Sequence, residues 1–95
     1  MTAPRLVAGI DLGKTSCRVR AVRDGVALGD VRVPGSRGLA DPGGVEAARA
    51  AIAAGLAVVR REAGLPDDTT FDVLAVGAAG SEAAPDLGPA LLAGL

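Results

Sequence analysis

The chain has 95 residues with 10 basic and 11 acidic side chains, one aromatic residue, one cysteine and no histidine. This charge balance excludes a dedicated nucleic-acid surface, and the lack of histidine excludes histidine-based catalysis and histidine metal sites within the chain. No apolar run reaches the roughly 18 residues that span a bilayer, and no basic targeting segment is evident. We therefore expect a cytoplasmic protein with neither a nucleic-acid nor a membrane partner.

The first part of the chain predicts three antiparallel strands. An apolar run predicts strand one over residues 6–10, and alternating apolar and arginine positions predict strand two over residues 16–23. The pair Asp24-Gly25 is a hairpin turn signal, which places strand three over residues 26–33. Cys17 lies on the apolar side of strand two, which indicates a small packed side chain rather than a nucleophile.

The second part predicts a helix, a fourth strand and a short second helix. Asp41 as N-cap and Pro42 at the first helical position start the helix, and Gly64-Leu65-Pro66 ends it. The apolar face of this helix is Val45, Ala48, Ile52, Leu56 and Val59. A nearly continuous apolar run predicts strand four over residues 71–76, buried on both faces. Residues 86–95 predict the second helix.

The turn between strands one and two has two interpretations. Gly13-Lys14-Thr15-Ser16 looks like the end of a P-loop, but that pattern requires a glycine where the chain has Ala8, and a helix after the turn. The alternating pattern that follows predicts a strand instead. In this hairpin interpretation Gly13 lets the backbone approach an oxyanion, and the amides of residues 14–16 converge on it. Asp11 then holds a hydrated magnesium ion.

Two segments carry a family resemblance. Gly9-Ile10-Asp11-Leu12-Gly13-Lys14-Thr15, with Arg18 beyond it, resembles the first phosphate motif of the actin, sugar kinase and heat-shock ATPase superfamily, an Asp-x-Gly-x-Thr hairpin turn that holds ATP phosphates. Residues 76–85 look like the Gly-x-Ala-Gly segment that ends the fourth strand in BadF/BadG/BcrA/BcrD-type ATPases and related N-acetylglucosamine kinases. Leu12 and Lys14 depart from the pattern, because these proteins often carry glycines there.

The resemblance implies a fold and a set of site residues. The fold is an α/β, ribonuclease H-like (actin-like ATPase) half-domain: three antiparallel strands, a helix, a parallel fourth strand and a short C-terminal helix. The implied residues are Asp11 for the metal, then Gly13, Lys14, Thr15 and Ser16 for ATP phosphate, and Gly77 and Gly80 for substrate. No catalytic residue is identified. Each of these positions is also compatible with a structural role alone, and residues 34–44 either face a substrate or form a plain connector.

The implied reaction is phosphoryl transfer from Mg-ATP, either to a sugar such as N-acetylglucosamine or to water with the energy coupled to a partner. In the family the second phosphate loop, the adenosine loop and the catalytic base lie beyond Leu95. We therefore expect residues 1–95 to be an incomplete N-terminal portion that lacks a C-terminal domain and has no turnover alone. The alternative is a non-catalytic truncated fragment or a small dimerising structural module, because an open apolar strand edge favours a homodimer.

Overall fold

A computed structural model describes residues 5–36 and 42–78 of the chain. Its elements are β1 (Leu6–Leu12), β2 (Ser16–Arg23), β3 (Val26–Pro34), α1 (Gly44–Glu62) and β4 (Val73–Ala78). The four strands form one mixed sheet in the order β3-β2-β1-β4. β2 is antiparallel to both of its neighbours, β1 and β3, and β4 is parallel to β1. The predicted α/β class and mixed strand arrangement are therefore confirmed.

The first hairpin follows the predicted alternation. β1 and β2 pair from Leu6 opposite Arg23 to Leu12 opposite Cys17. Alternate residues of a strand point to opposite faces, so the apolar positions of both strands meet α1 while Arg18 and Arg20 remain exposed on the other face. Because the residues after the turn form a strand, the P-loop interpretation is excluded.

The core lies between α1 and one face of the sheet. Its buried side chains are Ala8, Ile10 and Leu12 of β1, Cys17, Val19 and Ala21 of β2, and Ala48, Ile52, Leu56 and Val59 of α1. The helix approaches the sheet closely at Gly55, where an added Cβ would lie 2.5 Å from the Val19 Cγ2 atom. The predicted helix face is confirmed, although Val45 is only half-buried.

The start of α1 differs from the prediction, and its end agrees with it. The N-cap is Gly43, whose left-handed φ of 69° interrupts the helical backbone after Pro42, so the helix begins at Gly44. The predicted start at Pro42 is therefore wrong, and Asp41 lies outside the described residues. At the other end, the Gly64 amide donates to the Arg61 carbonyl and the Leu65 amide to the Arg60 carbonyl. These two bonds form a Schellman motif.

β4 begins two residues later than predicted. Asp72 pairs with the start of β1 instead: its amide donates to the Leu6 carbonyl at 2.8 Å, and its Oδ2 accepts from the Leu6 amide at 2.8 Å. The Arg60 guanidinium lies over the Phe71 ring, with its Cζ 5.3 Å from the ring centre. The prediction that both faces are buried is wrong for the described strand, because Ala75 is exposed and only one face meets the core.

Other expectations fall on residues that the structure does not describe. The predicted helix over 86–95 and the candidate substrate residue Gly80 lie outside the described residues. Within 5–36 and 42–78, no helix is long and apolar enough to cross a membrane.

Candidate functional site

The turn between β1 and β2 is closed by its own backbone. The Gly13 amide donates to the Ser16 carbonyl at 2.8 Å. Gly13 does not adopt the left-handed conformation. An added Cβ would lie 3.2 Å from the Ser16 oxygen, so a close backbone approach, rather than an unusual dihedral angle, favours glycine here.

Gly35 and Ser36, which we call the brace, hold this turn from the far end of β3. The Gly35 amide donates to the Thr15 carbonyl at 3.3 Å, and the Ser36 amide donates to the Gly13 carbonyl at 3.1 Å. A Cβ on Gly35 would overlap the Gly13 carbonyl oxygen and lie 2.7 Å from the Ser16 amide nitrogen. Sequence reasoning missed the brace, because its Pro-Gly-Ser composition indicates only a loop and not what that loop touches.

The brace occupies carbonyl groups of the turn and leaves amides unused. Neither the amide nor the side chain of Lys14 or Thr15 makes a hydrogen bond within the described part of the chain, and both side chains are exposed. Neighbouring backbone amides at a turn attract anions. The turn therefore has two adjacent amides and the Thr15 hydroxyl that bond to no described residue.

Asp11 lies one residue before the end of β1, on the sheet face opposite α1. It lines a groove of about 380 Å³ together with Gly9, Ile10, Arg18, Arg20 and Ala75. The parallel pairing of β1 with β4 places Gly77 directly beside Asp11. The Asp11 carboxylate forms no ion pair or hydrogen bond with any described residue.

The arginines near Asp11 bind a different carboxylate. Arg18 donates to Asp30 through Nε at 2.9 Å and Nη2 at 2.6 Å, and Arg20 donates to Asp30 Oδ2 through Nη2 at 3.1 Å. These bonds, led by those from Arg18, hold the pKa of the Asp30 carboxyl well below its usual range. We call Arg18, Arg20 and Asp30 the Asp30 cluster.

Lys14 lies on the other side of the hairpin from Asp11. It lines a cleft of about 670 Å³ between the brace and α1. The alanines on the helix side of that cleft are Ala47, Ala50, Ala51 and Ala54. The structure therefore brings Asp11 and Gly77 together, and separates the Lys14 side chain from the Asp11 groove.

Cys17 contributes no nucleophile to the site. Its side chain is fully buried beneath the turn, as predicted. Burial, and then the nearby charge of Asp11, raises the pKa of the thiol, which disfavours the reactive thiolate.

Asp11 is the one carboxylate among the described residues that line its groove, which also include Arg18 and Arg20. Among the described residues, no group of three or more acidic, cysteine or histidine side chains converges on one point. Magnesium commonly keeps several waters and binds one or two carboxylates plus the phosphates of its substrate. Asp11 would be the single carboxylate for such an ion.

Comparison with known proteins gives no assignment. No family model matches the chain, and neither a curated protein nor a solved structure matches it. The candidate site is therefore defined by its own residues and geometry.

Proposed function

We propose that this chain is the ATP phosphate-binding N-terminal part of an ATPase or sugar kinase of the BadF/BadG/BcrA/BcrD and N-acetylglucosamine kinase type. The reaction is phosphoryl transfer from Mg-ATP to an amino sugar or to water. One observation carries the proposal: a strand–turn–strand unit holds two unused amides, at Lys14 and Thr15, close to the unpaired carboxylate of Asp11.

The strand order supports a ribonuclease H-like half-domain. Three antiparallel strands are followed by a helix and by a fourth strand parallel to the first. This arrangement puts the β1 turn and the end of β4 at one edge of the sheet. Gly77 lies at that edge, where an added Cβ would meet no atom of residues 5–36 and 42–78 within 4 Å. We place the substrate at this edge, near Gly77; the other candidate substrate residue, Gly80, lies outside the described residues.

Each residue of the turn has a defined task in this proposal. The amides of Lys14 and Thr15 donate to phosphate oxygens, and the Thr15 and Ser16 hydroxyls add donors. Asp11 would hold a hydrated magnesium ion. When bound, magnesium neutralises phosphate charge and polarises the transferred group. The brace keeps the amides in place by occupying the carbonyls of Gly13 and Thr15.

ATP binding with and without magnesium tests the proposal. Wild-type protein is titrated with ATP by calorimetry in excess magnesium and again in EDTA, and Asp11→Asn is compared with Asp68→Asn. Asp68 lies in the exposed loop before β4, so its variant matches the charge change at a distance from the turn. We expect magnesium to tighten ATP binding of the wild type and of Asp68→Asn. In Asp11→Asn we expect this gain to fall by about tenfold, or 1.4 kcal/mol. Equal gains in all three proteins would contradict the proposal.

An edge strand favours a second candidate, a non-catalytic dimerising module. Within the described sheet β4 is at the end of the strand order, and its apolar Val73, Leu74 and Val76 are half-buried. A free strand edge can pair with a second copy of the chain. Light scattering tests this candidate: a dimer mass that persists without any ATP binding favours the module, and a monomer mass contradicts it.

A further inference from the structure

Arg18 is the direct cross-strand partner of Asp11, but its side chain binds elsewhere. Asp11 and Arg18 are opposite each other in the β1–β2 register and share the sheet face away from α1. Directly opposed side chains on one face have Cβ atoms about 4.5–5.5 Å apart, well within the reach of an arginine. Opposite charges at such positions normally attract each other.

Asp30 explains why this pair does not form. Asp30 is the cross-strand partner of Arg20 on β3, which places it diagonally to Arg18 on the same face. Arg18 donates two hydrogen bonds to Asp30, from Nε to Oδ1 at 2.9 Å and from Nη2 to Oδ2 at 2.6 Å. Such a two-pronged arginine–carboxylate bond is stronger and more directional than a single one. The same carboxylate binds Arg20.

We propose that Asp30 is a positioning residue for the phosphate site: it binds the guanidinium groups of Arg18 and Arg20, which line the Asp11 groove, and so keeps them from pairing directly with the Asp11 carboxylate, which stays available for magnesium. This inference rests on the proposed function of the turn. Without Asp30, Arg18 would pair with Asp11, its direct cross-strand partner, and would compete with a hydrated metal ion for that carboxylate.

A third arginine strengthens this competition. Arg32 is the other cross-strand neighbour of Arg18, on β3. Like charges directly opposite each other repel, so Arg32 disfavours movement of Arg18 toward β3. Asp30 is the acidic group that holds Arg18 on that side. Once it is removed, Asp11 is the nearest remaining carboxylate in the register.

The test measures how much magnesium tightens ATP binding, as the ratio of the dissociation constant in EDTA to that in magnesium. We expect Asp30→Asn to lower this ratio at least about fivefold, close to 1 kcal/mol. Asp68→Asn, with the same charge change, keeps the ratio. In the double variant Asp30→Asn with Arg18→Gln, we expect the ratio to return to within about twofold of the wild-type value, because the competing guanidinium is gone. Asp30→Ser, which also removes the carboxylate, is the second variant if Asp30→Asn folds poorly, and we expect the same loss of the ratio from it.

The outcomes separate this inference from the proposed function. If wild type and Asp11→Asn show the same ratio, the proposed function fails. If those two differ as proposed while Asp30→Asn keeps the wild-type ratio, or Arg18→Gln does not restore it, the inference is overturned and the phosphate site stands. If Asp30→Asn acted only through the net charge, the protein would become more positive and would bind ATP more tightly, both with and without metal. That result also overturns the inference.

Discussion

Strand β2 is flanked by two hairpin turns that are built on different principles. The turn between β2 and β3 consists of Asp24 and Gly25, with φ angles of 50° and 81°. Two left-handed residues in a row are typical of a type I′ turn, which matches the natural twist of its strands. The turn between β1 and β2 has no left-handed residue, and the brace holds it through backbone hydrogen bonds.

The two turns also differ in the hydrogen bonds of their polar groups. The Asp24 amide donates to the Arg5 carbonyl, and the Asp24 carboxylate accepts from the Arg5 amide. In the first turn two adjacent amides, those of Lys14 and Thr15, make no hydrogen bond within the described residues, against the single amide of Gly25 in the second turn. Buried backbone polar groups are normally paired, but exposed ones can bond to water or to a ligand. A turn that its surroundings hold in place, with donors to spare, is suited to binding an anion.

The largest effect expected from this comparison is at Gly35. An added Cβ would overlap the Gly13 carbonyl oxygen and lie 2.8 Å from the Lys14 carbonyl carbon, so Gly35→Ala must displace the turn. We expect a loss of about 1–3 kcal/mol in the free energy of unfolding, the usual cost of overpacking, together with loss of magnesium-dependent ATP binding. Denaturant unfolding and calorimetry measure the two effects.

Gly9 provides the stability control for Gly35. A Cβ at Gly9 would meet no atom of the described part of the chain within 4 Å, and the φ of Gly9 is not left-handed. We expect Gly9→Ala to change the free energy of unfolding by less than about 1 kcal/mol. Equal costs for the two variants would show that the brace does not constrain the turn.

A smaller effect is expected at Gly25. Its φ of 81° is strained for any side chain, so Gly25→Ala should lower the free energy of unfolding by about 1–2 kcal/mol. ATP binding should be unchanged, because this turn makes no contact with the candidate site. Loss of ATP binding in Gly25→Ala would show that the second turn also contributes to binding, contrary to this comparison.

The parts of the fold that local patterns determine were predictable. Alternation predicts β2, the Asp24-Gly25 pair predicts the second hairpin, and Gly64 marks the end of α1 through its left-handed conformation. The Asp-x-Gly-x-Thr pattern similarly singled out Asp11 and the first turn as the candidate site.

The missed features all depend on contacts between distant residues. Gly35 is distant in sequence from the turn it touches, and Asp30 binds arginines on another strand. β4 starts late because Asp72 binds Leu6 at the start of the chain. No local propensity records such contacts, since they arise only when the strands pair.

The smallest expected effect is the pH dependence of the Asp30 cluster. Hydrogen bonds from Arg18 and Arg20 depress the folded-state pKa of Asp30 below its ordinary value of 3.8. The resulting stabilisation is present above that ordinary value and is lost as the pH falls toward the folded-state pKa. The stability difference between wild type and Asp30→Asn should therefore shrink as the pH falls below 3.8. Unfolding curves across this pH range measure the stability difference. A difference that grows on acidification would contradict the stabilising role of the bonds from Arg18 and Arg20 to Asp30.

The most direct test of the phosphate-binding turn is a titration of ¹⁵N-labelled protein with Mg-ATP, followed by amide NMR signals at both hairpins. Donation to phosphate oxygens should shift the amides of Lys14 and Thr15, while those of Asp24 and Gly25 stay in place. Replacing magnesium with manganese should broaden the signals around Asp11, because a paramagnetic ion relaxes nearby nuclei. Lys14 and Thr15 signals that do not move, or that move no more than those of Asp24 and Gly25, would contradict the central claim.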